Sequence, residues 1–349
     1  MKISGIQIAR GVAALAVVGC HALPDFAVGG AGVDLFFVIS GFVMVHSSER
    51  LFGRDGAVQE FLWRRIIRIV PLYWTTTTIL LAYILVHYRG LAAANLSIEA
   101  VAASYFFIPY PQLNGVIPVH SVGWTLNFEM FFYVCFAASL SFDKRLSVPL
   151  LLVGLCVFVV FGPLAPFPLS YLASPLVLEF AFGAAIALVA KSHARIPSFL
   201  SAAIILLSGA ALLCSSYWAH VPRIAAWGLP SAAIIAAIAL ANGQAKTGKI
   251  LRPMLLLGDA SYALYLTHPL VISIPKHLAA VSPLEKSAPY LYGASLSAAA
   301  VAVAIMVHLA CEKPATRFLR KLAPVDHTPG RGEAEPAPTP IPAGAGDFG

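Results

Sequence analysis

The segment YLASPLVLEFAFGAAIALVA, residues 171–190, contains twenty residues and a single charged one, Glu179. A helix needs roughly 20 mostly apolar residues to cross the hydrocarbon core of a bilayer. Nine further stretches of this character occur along the chain, at 5–24, 32–47, 69–87, 123–142, 147–163, 199–218, 224–242, 254–275 and 289–310. The sequence therefore predicts an all-α fold, a polytopic membrane bundle of about ten transmembrane helices.

The composition agrees with this fold class. The 349 residues are 59% hydrophobic and 11% charged, and the mean hydropathy is +0.82. A soluble domain carries about 25% charged residues. So little charge cannot cover a water-facing surface, which excludes a soluble enzyme, a disordered protein and a secreted disulfide scaffold.

The distribution of basic residues predicts the orientation. If the N-terminus is cytoplasmic, 18 of the 23 Lys and Arg fall on the cytoplasmic side and four fall in outer loops. This asymmetry satisfies the positive-inside rule for ten spans. We therefore expect both termini in the cytoplasm and the protein in the cell inner membrane. The net charge of +7 is assigned to cytoplasmic loops, and no nucleic-acid partner is expected.

The chain is predicted to contain one membrane domain and a tail. The membrane domain covers residues 1–322. Residues 323–349 are rich in Pro, Gly and Ala and lack an apolar period, so they are expected to form a disordered cytoplasmic tail. Between the third and fourth spans, residues 88–122 form a long outer connection in which 98–110 is expected to be an interfacial or re-entrant helix.

The first predicted helix carries two ionisable residues, Arg10 and His21. The helix turns by 100° per residue, so over the eleven residues from Arg10 to His21 it completes whole turns to within about 20° and rises by roughly 16 Å. Both side chains therefore lie on one face. Ionisable groups inside spans are costly and are functional candidates. An imidazole is the natural general base near neutral pH. Two other interpretations stay open: Arg10 could extend to the cytoplasmic interface, and His21 could hydrogen-bond a neighbouring helix.

Two glutamates fall inside predicted spans. Glu129 lies near the expected depth of His21, and Tyr133 follows it at i+4 on the same face. A carboxylate facing lipid is unfavourable, so Glu129 is expected to face an internal cavity or to pack through a hydrogen bond. Glu179 lies midway along the sixth predicted helix, where a packing role and a functional role are equally open.

The ninth predicted helix carries a polar stripe formed by Ser261, Tyr265 and His268, at i, i+4 and i+7. Pro269 cannot bond the carbonyl of Tyr265, which predicts a kink. The stripe is typical of the wall of a polar cavity, although Ser261 could instead cap the helix.

Three arginines stand at the entrance to the third span. Arg64 and Arg68 are at i and i+4, and Arg65 and Arg68 at i and i+3. Guanidinium groups so placed can bind a polyphosphate bidentately, although an ordinary cytoplasmic anchor explains the spacing equally well. No Walker or Rossmann glycine motif accompanies them, and no cluster has metal-ligand spacing. We therefore expect no metal and no permanently bound cofactor.

Six blocks, in this order, carry a family resemblance: Arg10 with His21, the segment Gly32–Phe42, the Arg-rich segment 64–74, the segment Trp124–Tyr133, the segment Ser261–His268, and Glu312-Lys313-Pro314. Over residues 3–321 the chain resembles the integral-membrane acyltransferases often called acyltransferase family 3, and most of all the exopolysaccharide acetyltransferases. The resemblance implies transfer of an acyl group, with acetyl favoured, from cytoplasmic acyl-CoA to a hydroxyl of an envelope or exported polysaccharide.

The resemblance also implies roles for the candidate residues. His21 and Glu129 would be catalytic, with His21 removing the proton of the acceptor and Glu129 orienting or charging His21. The donor-binding residues would be Arg10, Arg64, Arg65 and Arg68. The residues expected to line the substrate cavity are Asp34, Ser40, Trp124, Asn127, Tyr133, Glu179, Ser261, Tyr262, Tyr265 and His268. A covalent acyl-enzyme on His21 or Ser261 stays open.

Two other functions fit the same polar residues. The first is a transporter or flippase of a lipid-linked sugar without acyl-transfer chemistry, which should ignore acyl-CoA. The second is a non-catalytic partner of the polysaccharide synthesis machinery. Some relatives carry a soluble esterase-like domain after the last span, and this chain is expected to act without one, alone or with a partner.

Overall fold

The structure is a computed structural model that describes residues 4–91, 95–113, 115–192, 194–217, 220–242, 251–278 and 283–322. These residues are helical almost throughout, and the described part of the chain contains two isolated β-bridges but no strand. The predicted all-α class is therefore confirmed. The predicted tail, residues 323–349, lies outside the described residues.

The helices are α1 (Ser4–Ala22), α2 (Gly32–Ser47), α3 (Ala57–His87), α4 (Ile98–Tyr105), α5 (Trp124–Ser139), α6 (Lys144–Phe161), α7 (Leu169–Leu172), α8 (Val177–Lys191), α9 (Ser198–Cys214), α10 (Leu229–Leu240), α11 (Arg252–Asp259), α12 (Ser261–Leu278), α13 (Pro283–Ser287), α14 (Pro289–Val307) and α15 (Lys313–Lys321). A π-helical turn precedes α10, and another joins α14 to α15.

Several helices are able to cross a membrane. Within the described ranges, six segments are long and apolar enough: Ser4–Ala22, Ala27–Ser47, Ala57–His87, Lys144–Leu164, Ser198–Tyr217 and Pro289–Lys321. A seventh results if α11 and α12 form one bent span, and Ile224–Leu240 is a shorter apolar helix. Each predicted stretch contains a helix, but the number ten and the direction of the chain across the membrane stay predictions.

The ninth predicted span is not one continuous helix, because α11 and α12 meet at an angle of 72°. Gly258 lies so close to α1 that an added Cβ would be 2.0 Å from the Gln7 carbonyl oxygen. Gln7 Nε2 also donates a hydrogen bond to Asp259 Oδ1 at 2.7 Å. These two contacts hold α11 against α1, and α12 begins only at Ser261.

The sixth predicted span is also divided. The short α7 ends at Leu172, and α8 begins at Val177. Pro175 falls in the gap, and proline disfavours the helical conformation of the residue before it. Glu179 therefore lies in the first turn of α8. The predicted position, midway along a helix, is wrong.

The helices α2 and α8 pack with their backbones in contact. A Cβ added to Gly41 would lie 2.0 Å from the Phe180 carbonyl oxygen, and one added to Gly183 would lie 2.0 Å from the Val38 carbonyl oxygen. Small residues allow helices in a membrane to approach this closely. The pair fixes α2, which carries one wall of the site described below.

Replacing Gly183 with alanine is expected to lower the melting temperature of the detergent-purified protein. The added methyl group must push α8 away from α2, and overpacking of this kind costs about 1–3 kcal/mol or more. Gly154→Ala in α6 is the matched control, since an added Cβ there meets nothing within 4 Å. Equal melting temperatures for the two variants would contradict the backbone contact.

Candidate functional site

A cavity that is partly open to the surroundings lies between α1, α2, α3, α5 and α12, and the empty space within it, open solvent included, is about 740 Å³. Along α2 its lining runs from Val33 to Met44, which corresponds to about 16 Å of helix. Nine of the sixteen predicted site residues line the cavity: Arg10, Ser40, Arg65, Arg68, Glu129, Tyr133, Ser261, Tyr262 and Tyr265. The structure thus brings most candidates from five separate segments into one place.

One end of the cavity, which we call the guanidinium end, is formed by Arg10, Arg65 and Arg68. Arg10 Nη2 donates to Ser261 Oγ at 3.1 Å, and Arg65 Nη2 donates to Ser47 Oγ at 3.2 Å. Arg65 Nε is buried and has no hydrogen-bond partner among the described residues. Since a guanidinium has five N–H donors, this end of the cavity retains donors for an anion.

Arg64 does not line the cavity, contrary to its predicted role with the other arginines. Its exposed side chain pairs with Glu60, which also pairs with Arg54. Neighbouring residues of a helix point about 100° apart, so Arg65 faces inward while Arg64 faces outward. Spacing alone could not decide which of the two would enter the site.

Glu129 lies on the cavity wall beyond the guanidinium end. It accepts hydrogen bonds from Ser40 Oγ at 3.2 Å and from the Tyr133 hydroxyl. No hydrogen bond joins Glu129 to His21 within the described ranges. The expected pairing of these two residues is therefore not found, and the Glu129 carboxylate lies instead in the electrostatic range of Arg10.

The opposite end of the cavity, which we call the aromatic end, includes Phe36, Phe37 and Tyr265. The Tyr265 hydroxyl hydrogen-bonds with Thr125 Oγ1 at 2.8 Å and with the Val122 carbonyl oxygen at 3.1 Å. Phe36 meets the Tyr265 ring edge-on, with centroids 5.9 Å apart. Tyr265 is thus held in place by the hydrogen bonds of its hydroxyl and by the contact of its ring with Phe36.

Two histidines lie next to the aromatic end but do not line the cavity. The His268 ring is 6.0 Å from the Tyr265 ring and 5.0 Å from the His21 ring, measured between centroids. Tyr265 thus connects the cavity to the two imidazoles. This places both histidines, predicted as catalytic and cavity-lining residues, just outside the cavity proper.

The hydrogen bonds of the two histidines define their tautomers. His21 Nδ1 is 2.8 Å from the Val17 carbonyl oxygen, and His268 Nδ1 is 3.1 Å from the Leu264 carbonyl oxygen. Because a carbonyl oxygen only accepts, both Nδ1 atoms carry the proton and both Nε2 atoms are acceptors. His268 is fully buried and His21 is exposed, so His21 is the imidazole that an outside molecule reaches first.

Three other predicted cavity residues belong to a separate ion-pair cluster. Asp34 is fully buried and pairs with Arg223 through an Nε–Oδ1 distance of 3.1 Å and an Nη2–Oδ2 distance of 2.8 Å. The guanidinium lies 5.9 Å from the Trp124 ring and 4.7 Å from the Trp227 ring. Glu179 is buried close to this pair. Asp34, Trp124 and Glu179 therefore belong to this cluster, on α2, α5 and α8, and do not line the cavity.

The sequence interpretation missed Arg223 and His120, and it also placed Asn127 wrongly. Arg223 was treated only as an outer-loop cation, although a buried Asp34 requires a counter-charge. Burial lowers the pKa of His120 to about 4, and the neutral ring donates through Nε2 to the Leu266 carbonyl oxygen at 2.9 Å. Asn127 is buried on α5 and does not face the cavity.

A search of the described residues finds no group of three or more His, Cys, Asp or Glu that could hold a metal ion. The chemistry available at the site consists of guanidinium donors, the Glu129 carboxylate, hydroxyl groups and the two imidazoles.

Comparisons with known proteins identify the family of the chain. The model of a family described as an acyltransferase domain matches residues 3–309. The exopolysaccharide production protein ExoZ of Rhizobium meliloti (strain 1021) is 34% identical over 301 residues, which cover 84% of this chain and 91% of ExoZ. The acyltransferase MdmB of Streptomyces mycarofaciens is 26% identical over 376 residues, covering 92% of this chain and 93% of MdmB.

A shorter match joins the chain to protein 2 in the picA locus of Rhizobium radiobacter, which is 32% identical over 141 residues, or 35% of this chain and 73% of that protein. No solved structure matches the chain. Since the family model covers most of the sequence and ExoZ aligns along nearly its whole length, the chain belongs to the family of membrane acyltransferases that this domain defines.

Proposed function

We propose that the protein is a membrane O-acyltransferase that moves an acyl group from acyl-CoA to a carbohydrate hydroxyl. The observation that carries the proposal is the charge of the cavity lining, which contains three arginines and one carboxylate, Glu129. Such an excess of buried positive charge requires an anionic ligand. Arginine matches phosphate oxygens bidentately, and the phosphates of coenzyme A would satisfy Arg10, Arg65 and Arg68.

The shape of the cavity supports a linear donor. With its phosphates at the guanidinium end, the pantetheine arm of the donor would follow the cavity for the length of about 16 Å between Met44 and Val33. The thioester would then lie near Tyr265. The Tyr265 ring would separate it from His268, and the Tyr265 and His268 rings together would separate it from His21. Glu129, held by Ser40 and Tyr133, would keep the guanidinium groups in place.

The transfer step follows from the tautomer of His21. Because the Tyr265 and His268 rings separate His21 from a thioester in the cavity, this step requires a movement that brings the thioester past Tyr265 to within reach of the acceptor. His21 Nε2 then accepts the proton of the acceptor hydroxyl while the hydroxyl oxygen attacks the thioester carbonyl carbon. The carbon–sulfur bond breaks, and the coenzyme A thiolate leaves and takes up a proton. General-base catalysis contributes typically 10²–10⁴-fold. An acyl-enzyme on His21 or Ser261 is the alternative route.

The relatives support a carbohydrate acceptor. ExoZ is named for exopolysaccharide production and MdmB is named an acyltransferase. For this chain we propose acetyl as the acyl group, an envelope or exported polysaccharide as the acceptor, and association with polysaccharide synthesis machinery. We also propose the inner membrane as the location, with ten spans in the 1–322 domain, and both termini and the 323–349 tail in the cytoplasm.

The test uses inside-out membrane vesicles that enclose glycans from the host envelope, with acetyl-CoA labelled in the acetyl group added to the medium. Label is expected to enter carbohydrate with vesicles containing the protein and not with vesicles lacking it. Right-side-out vesicles, whose cytoplasmic side is closed to acetyl-CoA, should remain inactive. Binding of acetyl-CoA without any transfer would favour a non-catalytic role, and absence of binding would favour the sugar transporter.

A further inference from the structure

The aromatic end of the cavity has no role in holding phosphates, yet its Tyr265 is held by two hydrogen bonds and a ring contact with Phe36. We propose that Tyr265 and Phe36 form an acyl pocket that admits short acyl chains and rejects long ones. This inference rests on the proposed acyl-CoA donor and adds the substrate class that the donor site accepts.

The position of Tyr265 sets the depth of the pocket. Its side chain lines the cavity but is only 7% exposed. Its hydroxyl is bonded on the α5 side by Thr125 and by the Val122 carbonyl oxygen, and Phe36 meets the edge of its ring. The ring therefore cannot turn away without breaking several contacts at once.

The space behind Tyr265 is closed. His268 lies directly behind, with ring centroids 6.0 Å apart, and it is fully buried. An acyl chain that extends from a thioester in the cavity meets the Tyr265 ring first. In an open apolar pocket, each methylene added to the acyl chain strengthens binding of the acyl-CoA by about fourfold. In this cavity each additional methylene must instead displace the Tyr265 ring.

The experiment measures binding of acetyl-CoA, butyryl-CoA and hexanoyl-CoA to the detergent-purified full-length protein by calorimetry, with no acceptor present. The wild type is expected to bind acetyl-CoA at least tenfold more tightly than hexanoyl-CoA. Tyr265→Ala should reduce that preference at least tenfold, and Phe36→Ala should change it in the same direction. Tyr265→Phe keeps the ring and should keep the preference.

Tyr262→Ala is the matched control. Tyr262 is also a cavity-lining tyrosine on α12, three residues earlier, and its hydroxyl donates to the Ile69 carbonyl oxygen at 2.7 Å. Its removal should weaken binding of all three esters by the same factor. Melting temperature and gel filtration confirm that each variant is folded.

The outcomes separate this inference from the proposed function. A folded Tyr265→Ala protein with the wild-type preference would overturn the acyl pocket, as would an equal change in preference with Tyr262→Ala. A wild type that binds all three esters equally would also overturn it and leave the donor proposal standing. A wild type that binds none of the esters would overturn both.

Discussion

Replacing Arg65 with alanine is expected to weaken acetyl-CoA binding by about 10- to 150-fold. Arg65 lines the guanidinium end, and its Nη2 bond to Ser47 Oγ uses one of the five N–H donors of the guanidinium, so we expect its cavity-facing donors to bind a phosphate. A hydrogen bond to a charged group contributes about 1.5–3 kcal/mol, which corresponds to that range of affinity. Calorimetry on the detergent-purified protein measures the dissociation constant directly.

Arg64→Ala is a stringent control, because it also removes an arginine side chain, at the neighbouring position of the same helix. Arg64 is exposed and paired with Glu60, so its loss should change the dissociation constant less than threefold. Arg65→Lys keeps the charge but loses the bidentate geometry and should give an intermediate value. Equal losses for Arg64→Ala and Arg65→Ala would mean that general surface charge, and not the cavity, attracts the donor.

Replacing His21 with alanine is expected to reduce acyl transfer by about 10²–10⁴-fold, the usual contribution of a general base. Binding of acetyl-CoA should remain within about threefold of wild type, because His21 lies outside the cavity and contacts His268 and the Val17 carbonyl oxygen instead. Transfer of labelled acetyl groups to glycan and calorimetry are measured on the same preparations.

His87→Ala controls for the loss of an imidazole from an exposed position, since His87 ends α3 and faces solvent or lipid. It should transfer label like the wild type. Full activity of a folded, inserted His21→Ala protein would remove His21 from the mechanism. Intact mass after incubation with acetyl-CoA alone tests the acyl-enzyme route, because an adduct absent from His21→Ala or from Ser261→Ala would identify the carrier.

Much of the fold and about half of the site follow from sequence periodicity. Hydrophobic length alone locates ten stretches that each contain a helix, although α13 and α15 lie outside them. The eleven-residue spacing of Arg10 and His21 predicts one shared face with the two residues at different depths. In the structure Arg10 lines the cavity and His21 lies near its opposite end. Of the predicted stripe, Ser261 and Tyr265 line the cavity whereas His268 lies behind them, and Tyr262, which is outside the stripe, also lines the cavity.

The remaining placements depend on which helices pack together, and periodicity does not contain that information. In the sequence, an acid inside a predicted span is the same functional candidate whether it lines a cavity or pairs with an arginine. Asp34 and Glu179 were therefore expected in the cavity, whereas Arg223, distant in sequence, draws them into a different cluster. The break before Ser261 likewise depends on contacts with α1 that no local pattern reveals.

The Asp34–Arg223 ion pair has a consequence for the synthesis of the protein. The two residues are separated by 189 positions, and at roughly 5–20 residues per second a ribosome needs about 10–40 s to pass from one to the other. During that interval α2 has been synthesised and carries the Asp34 carboxylate, but Arg223, which pairs with it, does not yet exist. The insertion machinery or an early partner helix must shield Asp34 for tens of seconds, so the final assembly of the bundle waits until Arg223 has been synthesised.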